Sequence, residues 1–173
     1  MLVSVGHGTL DRAGLAGLLT TAGVVDIVDI RRFPGSRRNP DMARDALQAW
    51  APAAGLTYRW EPDMGGRRRL PADTPVVDTW WRVAQFAAYA AYTRTEVFGR
   101  ALDALLAQAA DRCTAIMCSE SVWWRCHRRL VADVAELRSR TEVLHLMHDG
   151  KLVPHPVSPA AEVAADGQVY WTE

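Results

Sequence analysis

The chain has 173 residues, 49% of them hydrophobic and 23% charged, and its 20 basic and 20 acidic side chains cancel. A chain of this length is expected to form one domain that buries roughly 70% of its unfolded surface, so no disulfide staples are needed. No run of about eighteen apolar residues is present to cross a bilayer, and a net charge of zero argues against wholesale binding along a phosphate backbone.

Leu2 to Val5 is an apolar run ending in Gly6-His7-Gly8, and Thr9 is placed to cap a helix in which Leu15, Leu18, Leu19 and Ala22 recur at helical spacing. Gly23 stops that helix, and Val24 to Ile30 is a β-branched run suited to a strand buried on both faces. RRFPGSRRNP then reads as a loop, Asp41 opens a helix carrying Leu47 and Trp50, and Leu56 to Trp60 reads as a third strand. Glu61 to Thr79 is rich in turn formers and predicts a long surface loop. Trp80 to Leu106 predicts two helices broken near Thr93 to Thr95. Cys113 to Cys118 is the fourth strand, Ser121 is placed to cap a helix through Leu137, and Thr141 to Leu146 is the fifth strand. Residues from about 150 to 173, with Pro154, Pro156 and Pro159, read as a proline-rich tail, an edge hairpin or a lid on the single domain 1–173.

Strands alternating with helices in this way predict an α/β fold: a three-layer, open, mostly parallel, Rossmann-like sheet with helices on both faces. In such a sheet, ligands bind beyond the carboxyl ends of the strands. That rule sends His7, Asp29, Cys118, Glu120 and His127 toward one rim, together with three groups of arginines: Arg31, Arg32, Arg37 and Arg38; Arg67, Arg68 and Arg69; Arg125, Arg128 and Arg129. The predominance of arginine, with Lys151 the one lysine, fits a GC-rich genome, but this does not account for the grouping.

Cys118 followed seven residues later by Arg125 on a strand-to-helix turn is the sharpest local pattern. Phosphatases and sulfur transferases hold a nucleophilic thiolate in such a loop, although theirs is shorter, and Glu120 would raise a neighbouring thiol's pKa and repel a phosphate. Two readings of Cys118 therefore stand: a nucleophile, or an inert residue closing a buried strand. Glu120 reads as a base or an acceptor. His7 is either an acid/base or a histidine bonded to the backbone of its own turn, and Asp29 is placed to assist proton transfer. The expected binding residues are Arg31, Ser36, Arg37, Asn39, Gly65, Gly66, Arg67, Trp124, Arg125, His127 and Arg128. In each of the pairs Trp80-Trp81 and Trp123-Trp124, one ring is expected in the core and the other free to stack.

Cys113, Cys118, Cys126, His127, His145 and His148 are potential metal donors, but no Cys-x-x-Cys or His-x-x-x-His pair occurs, and Cys126 falls on the apolar stripe of its predicted helix. No metal or cofactor is expected. Three unpaired cysteines and an N-terminus without the features of a signal peptide suggest the cytoplasm.

The segments SVGHGT, VDIRRFPGSRRNP, DMGGRRR and WWRVAQFAAYAAY, and above all MCSESVWWRCHRRLVAD, resemble the domain-of-unknown-function 488 family, whose Cys-x-Glu and Arg-Cys-His-Arg pattern is matched by Cys118, Glu120, Arg125, Cys126, His127 and Arg128. The resemblance implies a compact α/β domain of the bacterial cytoplasm with an enzyme-like site. It brings no reaction with it. Val122-Trp123-Trp124 stands where many members carry an acidic residue and proline, which restricts any stacking role of these tryptophans to a subgroup. The functional expectation is an enzyme acting on an anionic small molecule, a nucleotide or a nucleic-acid component, through an arginine-lined site containing Cys118 and Glu120. The alternative is a non-catalytic nucleic-acid-binding or regulatory module using the same arginines and tryptophans.

Overall fold

The computed structural model describes residues 1–173. Its frame is a six-stranded sheet in the order β3-β2-β4-β1-β5-β6, with β1 Leu2–Gly6, β2 Asp26–Asp29, β3 Thr57–Trp60, β4 Thr114–Cys118, β5 Val143–Leu146 and β6 Leu152–Pro154. The first five strands run parallel, and β6 pairs antiparallel to β5. Every residue of β1, β2 and β4 is buried, as expected of central strands covered on both faces, whereas β3 at the edge is partly exposed.

Strand alternation distributes the core. Val3, Val5, Ile27, Ala115 and Met117 point to one face, where α1 (Arg12–Thr21) brings Leu15 and Leu19 and α2 (Arg44–Trp50) brings Leu47 and Trp50. Leu2, Val28, Ile30, Ile116 and Val143 point to the other face, against α3 (Ala84–Thr93), α4 (Glu96–Asp111) and α5 (Arg128–Ser139). The result is the three-layer, Rossmann-like α/β sheet. A hairpin of β7 (Ala161–Val163) and β8 (Val169–Trp171) lies on the second face, and its fully buried Trp171 joins that core.

Several helix starts differ from the sequence reading. Asp11, not Thr9, caps α1, its carboxylate accepting the Gly14 N–H at 2.8 Å; Leu10 N–H instead donates back to His7 O, so Thr9 lies within the turn after β1. Trp80 and Trp81 precede α3, and the Trp80 N–H donates to Trp171 O. The break between α3 and α4 falls at Arg94 and Thr95, and the Thr95 hydroxyl caps α4. Ser121 caps nothing: a short 3-10 turn at Trp123–Arg125 intervenes before α5 begins at Arg128.

Candidate functional site

The neighbouring strands β1 and β4 lead into helices on opposite faces, α1 and α5, so a crevice opens beyond their carboxyl ends. Two backbone hydrogen bonds hold the outgoing chains side by side past the strands, His7 N to Cys118 O at 2.9 Å and Gly8 N to Ser119 O at 3.1 Å. The crevice is a cavity of about 230 Å³. Its floor is formed by His7, Cys118, Cys126, His127 and Tyr89, and its mouth carries Arg67, Glu120 and Arg125. Arg31, Arg32, Phe33, Ser36 and Gly66 complete the wall from the loops after β2 and β3.

The arginines divide into structural and free. Arg31 is buried and forms a two-pronged pair with the fully buried Asp29, at 2.8 and 2.5 Å, while its third nitrogen reaches His7 Nε2 at 3.2 Å. Asp29 also accepts the Tyr58 hydroxyl at 2.8 Å, and with burial and the adjacent carboxylate this holds the phenol well above its usual pKa. Both Asp29 oxygens are thus occupied, by Arg31 and Tyr58. Arg128 is buried too, donating to Glu120 O, to Ser4 Oγ at 3.3 Å and to Cys126 Sγ at 3.4 Å, so it builds the loop and does not face the cavity. Arg129 turns away, over Trp80 and Trp81. Arg32, Arg67 and Arg125 line the cavity without a carboxylate partner.

Of the other expected binding residues, Arg37 is exposed and lines none of the clefts described. Asn39 spends its amide on Leu10 O at 2.7 Å and faces a shallower cleft beside the main one, shared with Ser36 and Glu120. Gly65 packs against the Arg32 backbone, where a Cβ would lie 2.8 Å from Arg32 Cα. Trp124 is 45% exposed and outside the cavity, while Trp123 stacks on His145 at 4.2 Å.

His7 has both ring nitrogens occupied. Arg31 can only donate, so Nε2 accepts and Nδ1 donates to Gly8 O at 3.0 Å. Burial first and the Arg31 charge second lower its pKa to about 4, and the ring is neutral near pH 7. This is the backbone-bonded alternative, with His7 orienting Arg31. Glu120, by contrast, is exposed, and its one side-chain contact is a long 3.4 Å bond from the Val122 N–H. It is the carboxylate at the mouth that is free to act.

Cys126 was misplaced by the sequence reading. Extending the apolar stripe of α5 upstream put it in a helical core position, but it sits in the turn before α5 and lines the cavity floor. The Cys-His dipeptide ahead of the helix was the available signal. A hydrogen bond from the Cys118 thiol lowers the Cys126 pKa, with burial opposing and the Arg128 guanidinium assisting. The same interaction, together with burial, raises that of Cys118. Cys118, Cys126 and His127 each offer a donor atom within 4.8 Å of the others, and these are the residues able to hold a metal.

No helix is long and apolar enough to cross a membrane. No curated protein and no solved structure matches the chain. The profile of the family described as domain of unknown function DUF488 matches residues 11–135, more than half of the sequence and including both halves of the cysteine motif, and the chain belongs to that family.

Proposed function

We propose that the chain is an enzyme acting on an anionic small molecule, a nucleotide or a nucleic-acid component, bound in the crevice beyond β1 and β4. The observation that carries this reading is the convergence on one cavity of three guanidinium groups without carboxylate partners, an uncommitted carboxylate and a pair of sulfurs. A charge of this kind left unneutralised around a concave site favours an anionic occupant, and planar guanidinium groups match carboxylate and phosphate oxygens. Arg67 and Arg125 hold the anion, Arg31 shapes the wall, Glu120 takes or returns a proton in a hydrolytic or transfer step, and the sulfurs lie beneath the reacting atoms.

Thermal-shift titration with inorganic phosphate, nucleotides, sugar phosphates and short oligonucleotides tests the proposal. A ligand at a hundred times its Kd adds about 2.7 kcal/mol, which raises the Tm of a chain of this size by roughly 5–11 °C. Arg67→Gln and Arg125→Gln should each weaken that ligand by about tenfold or more, the scale of one charged hydrogen bond. Glu120→Gln should keep binding and lose turnover. No shift with any anion refutes the reading.

The alternative of a nucleic-acid module draws on one further feature. The cavity continues into a groove of about 850 Å³ bordered by Arg67, Arg68 and Arg69, with Phe33, 64% exposed, between the two. Arg68 is already folded over Tyr92, at 3.7 Å, which leaves Arg67 and Arg69 to a strand. Retention of a single-stranded oligonucleotide with a steep salt dependence, and no turnover of any ligand, would favour this second reading.

A further inference from the structure

We infer that Cys118, Cys126 and His127 form a three-ligand site for a divalent transition metal, zinc in the first instance, whose fourth position faces the crevice. The inference stands independently of the proposed anion chemistry, since metal uptake is read without any substrate.

The donor types suit zinc, two thiols and an imidazole. They come from two separate segments, Cys118 from the end of β4 and Cys126-His127 from the turn before α5, and the sheet brings them together. Their spacing fits a tetrahedral ion. With Zn–S near 2.3 Å and Zn–N near 2.0–2.1 Å, adjacent donors lie about 3.6 Å apart for sulfur and nitrogen and about 3.8 Å for two sulfurs. Cys126 Sγ and His127 Nδ1 are 3.5 Å apart, and all three donor atoms fall within 4.8 Å, so no donor separation has to shrink by more than about 1.2 Å to close on an ion.

The imidazole is held in the tautomer that coordination requires. His127 Nε2 lies 3.2 Å from Ile30 O. A carbonyl oxygen only accepts, so Nε2 carries the hydrogen and Nδ1 presents its lone pair toward Cys126. An imidazole donating its remote N–H to a backbone carbonyl is the usual outer support of a metal-bound histidine. Arg128 Nε donates to Cys126 Sγ at 3.4 Å, giving that sulfur an outer partner as well. The ring is also held by packing. Tyr89 meets it edge-on at 5.0 Å, and Gly66 approaches so closely that a Cβ there would lie 2.8 Å from Nδ1.

Charge is compatible with this assignment. Two thiolates and one dication sum to zero, so the loaded site would carry no net charge of its own beneath Arg32, Arg67 and Arg125 at the mouth. Three protein ligands with an open fourth position facing a cavity are the pattern of a catalytic zinc, not of a closed structural one. A water bound there would give its proton to Glu120 and add as hydroxide to an electrophilic carbon or phosphorus. The bond to the leaving group then breaks, and Glu120 returns the proton to that group, for net addition of one water.

The experiment is metal titration of the intact, metal-stripped chain with zinc and with cobalt(II), read by bound-metal analysis and visible absorption. We expect one zinc per chain and, for cobalt, intense thiolate-to-metal charge transfer with a tetrahedral d–d envelope. Cys126→Ser and His127→Gln should weaken uptake by more than the roughly 10–100-fold that loss of an outer partner costs, while Cys113→Ser, just before the opposite end of β4, should bind like the wild type. The wild-type cobalt spectrum keeps the test decisive even where a ligand variant fails to fold. Absence of charge-transfer absorption at excess cobalt, or equal uptake by folded Cys126→Ser, overturns the site. A chain that takes up no metal yet still binds an anion through Arg67 and Arg125 loses the metal centre and keeps the proposed function.

Discussion

Gly6 at the end of β1 offers a sharp test of how the crevice is built. A Cβ at this position would lie 1.8 Å from Glu120 O and 2.7 Å from Glu120 C, against the roughly 3.0 Å that real Cβ contacts keep. Both near atoms belong to backbone, so no side-chain rotation relieves the clash, and the Glu120 carbonyl must retreat by at least about 1.2 Å. That carbonyl accepts from the buried Arg128, and its loop is tied to β1 by His7 N to Cys118 O and Gly8 N to Ser119 O. Overpacking costs about 1–3 kcal/mol, and losing a charged hydrogen bond costs about 1.5–3 kcal/mol more. Gly6→Ala should therefore destabilise the chain by about 2.5–6 kcal/mol and lower its Tm by roughly 5–24 °C. The control is Gly17→Ala on the exposed side of α1, where a Cβ meets nothing within 4 Å; it should stabilise by about 0.5–1 kcal/mol. Urea unfolding followed by circular dichroism, with unchanged m-values, measures both. A Gly6→Ala variant within about 0.5 kcal/mol of wild type would show that the β1–β4 crevice is not packed as described.

Asp133 is fully buried and accepts His155 Nε2 at 2.9 Å, Ser158 N at 2.8 Å and Trp171 Nε1 at 2.9 Å, tying the C-terminal segment to α5. Asp133→Ala leaves three buried donors without an acceptor; we expect a loss of about 3–5 kcal/mol and early proteolysis between β6 and β8, and a loss under about 1 kcal/mol would contradict it. Burial alone would raise the Asp26 pKa, but hydrogen bonds from Arg112, Thr57 and Gln108 outweigh it and hold the carboxyl below its ordinary value. Because the folded-state pKa is depressed, the stabilisation is present above the unfolded pKa of about 3.9 and fades as pH falls through the folded one. The stability advantage of wild type over Asp26→Asn should accordingly shrink below about pH 4, and a pH-independent difference would rule out the linkage.

The alternation of short apolar runs with helical periods was enough to establish five parallel strands, because successive parallel strands each need a crossover connection. The position of the crevice followed from the same pattern: His7, Arg31, Cys118 and Glu120 all lie at or just past strand ends, and in a parallel sheet those ends share one edge. Which side chains remain available there was decided only by tertiary contacts. Arg125 and Arg128 look alike in sequence, yet one is exposed at the cavity and the other is consumed by Ser4, Cys126 and the Glu120 carbonyl. That Arg31 and Tyr58 occupy the oxygens of Asp29 is likewise not legible in the sequence. His127 acquires its tautomer from Ile30, and Cys126 its exposure to the cavity from the non-helical turn that precedes α5. Periodicity reports which face of an element is apolar, whereas the hydrogen-bond state of a polar group depends on partners brought close by strand order, and the order β3-β2-β4-β1-β5-β6 is not written in any local stretch of the chain.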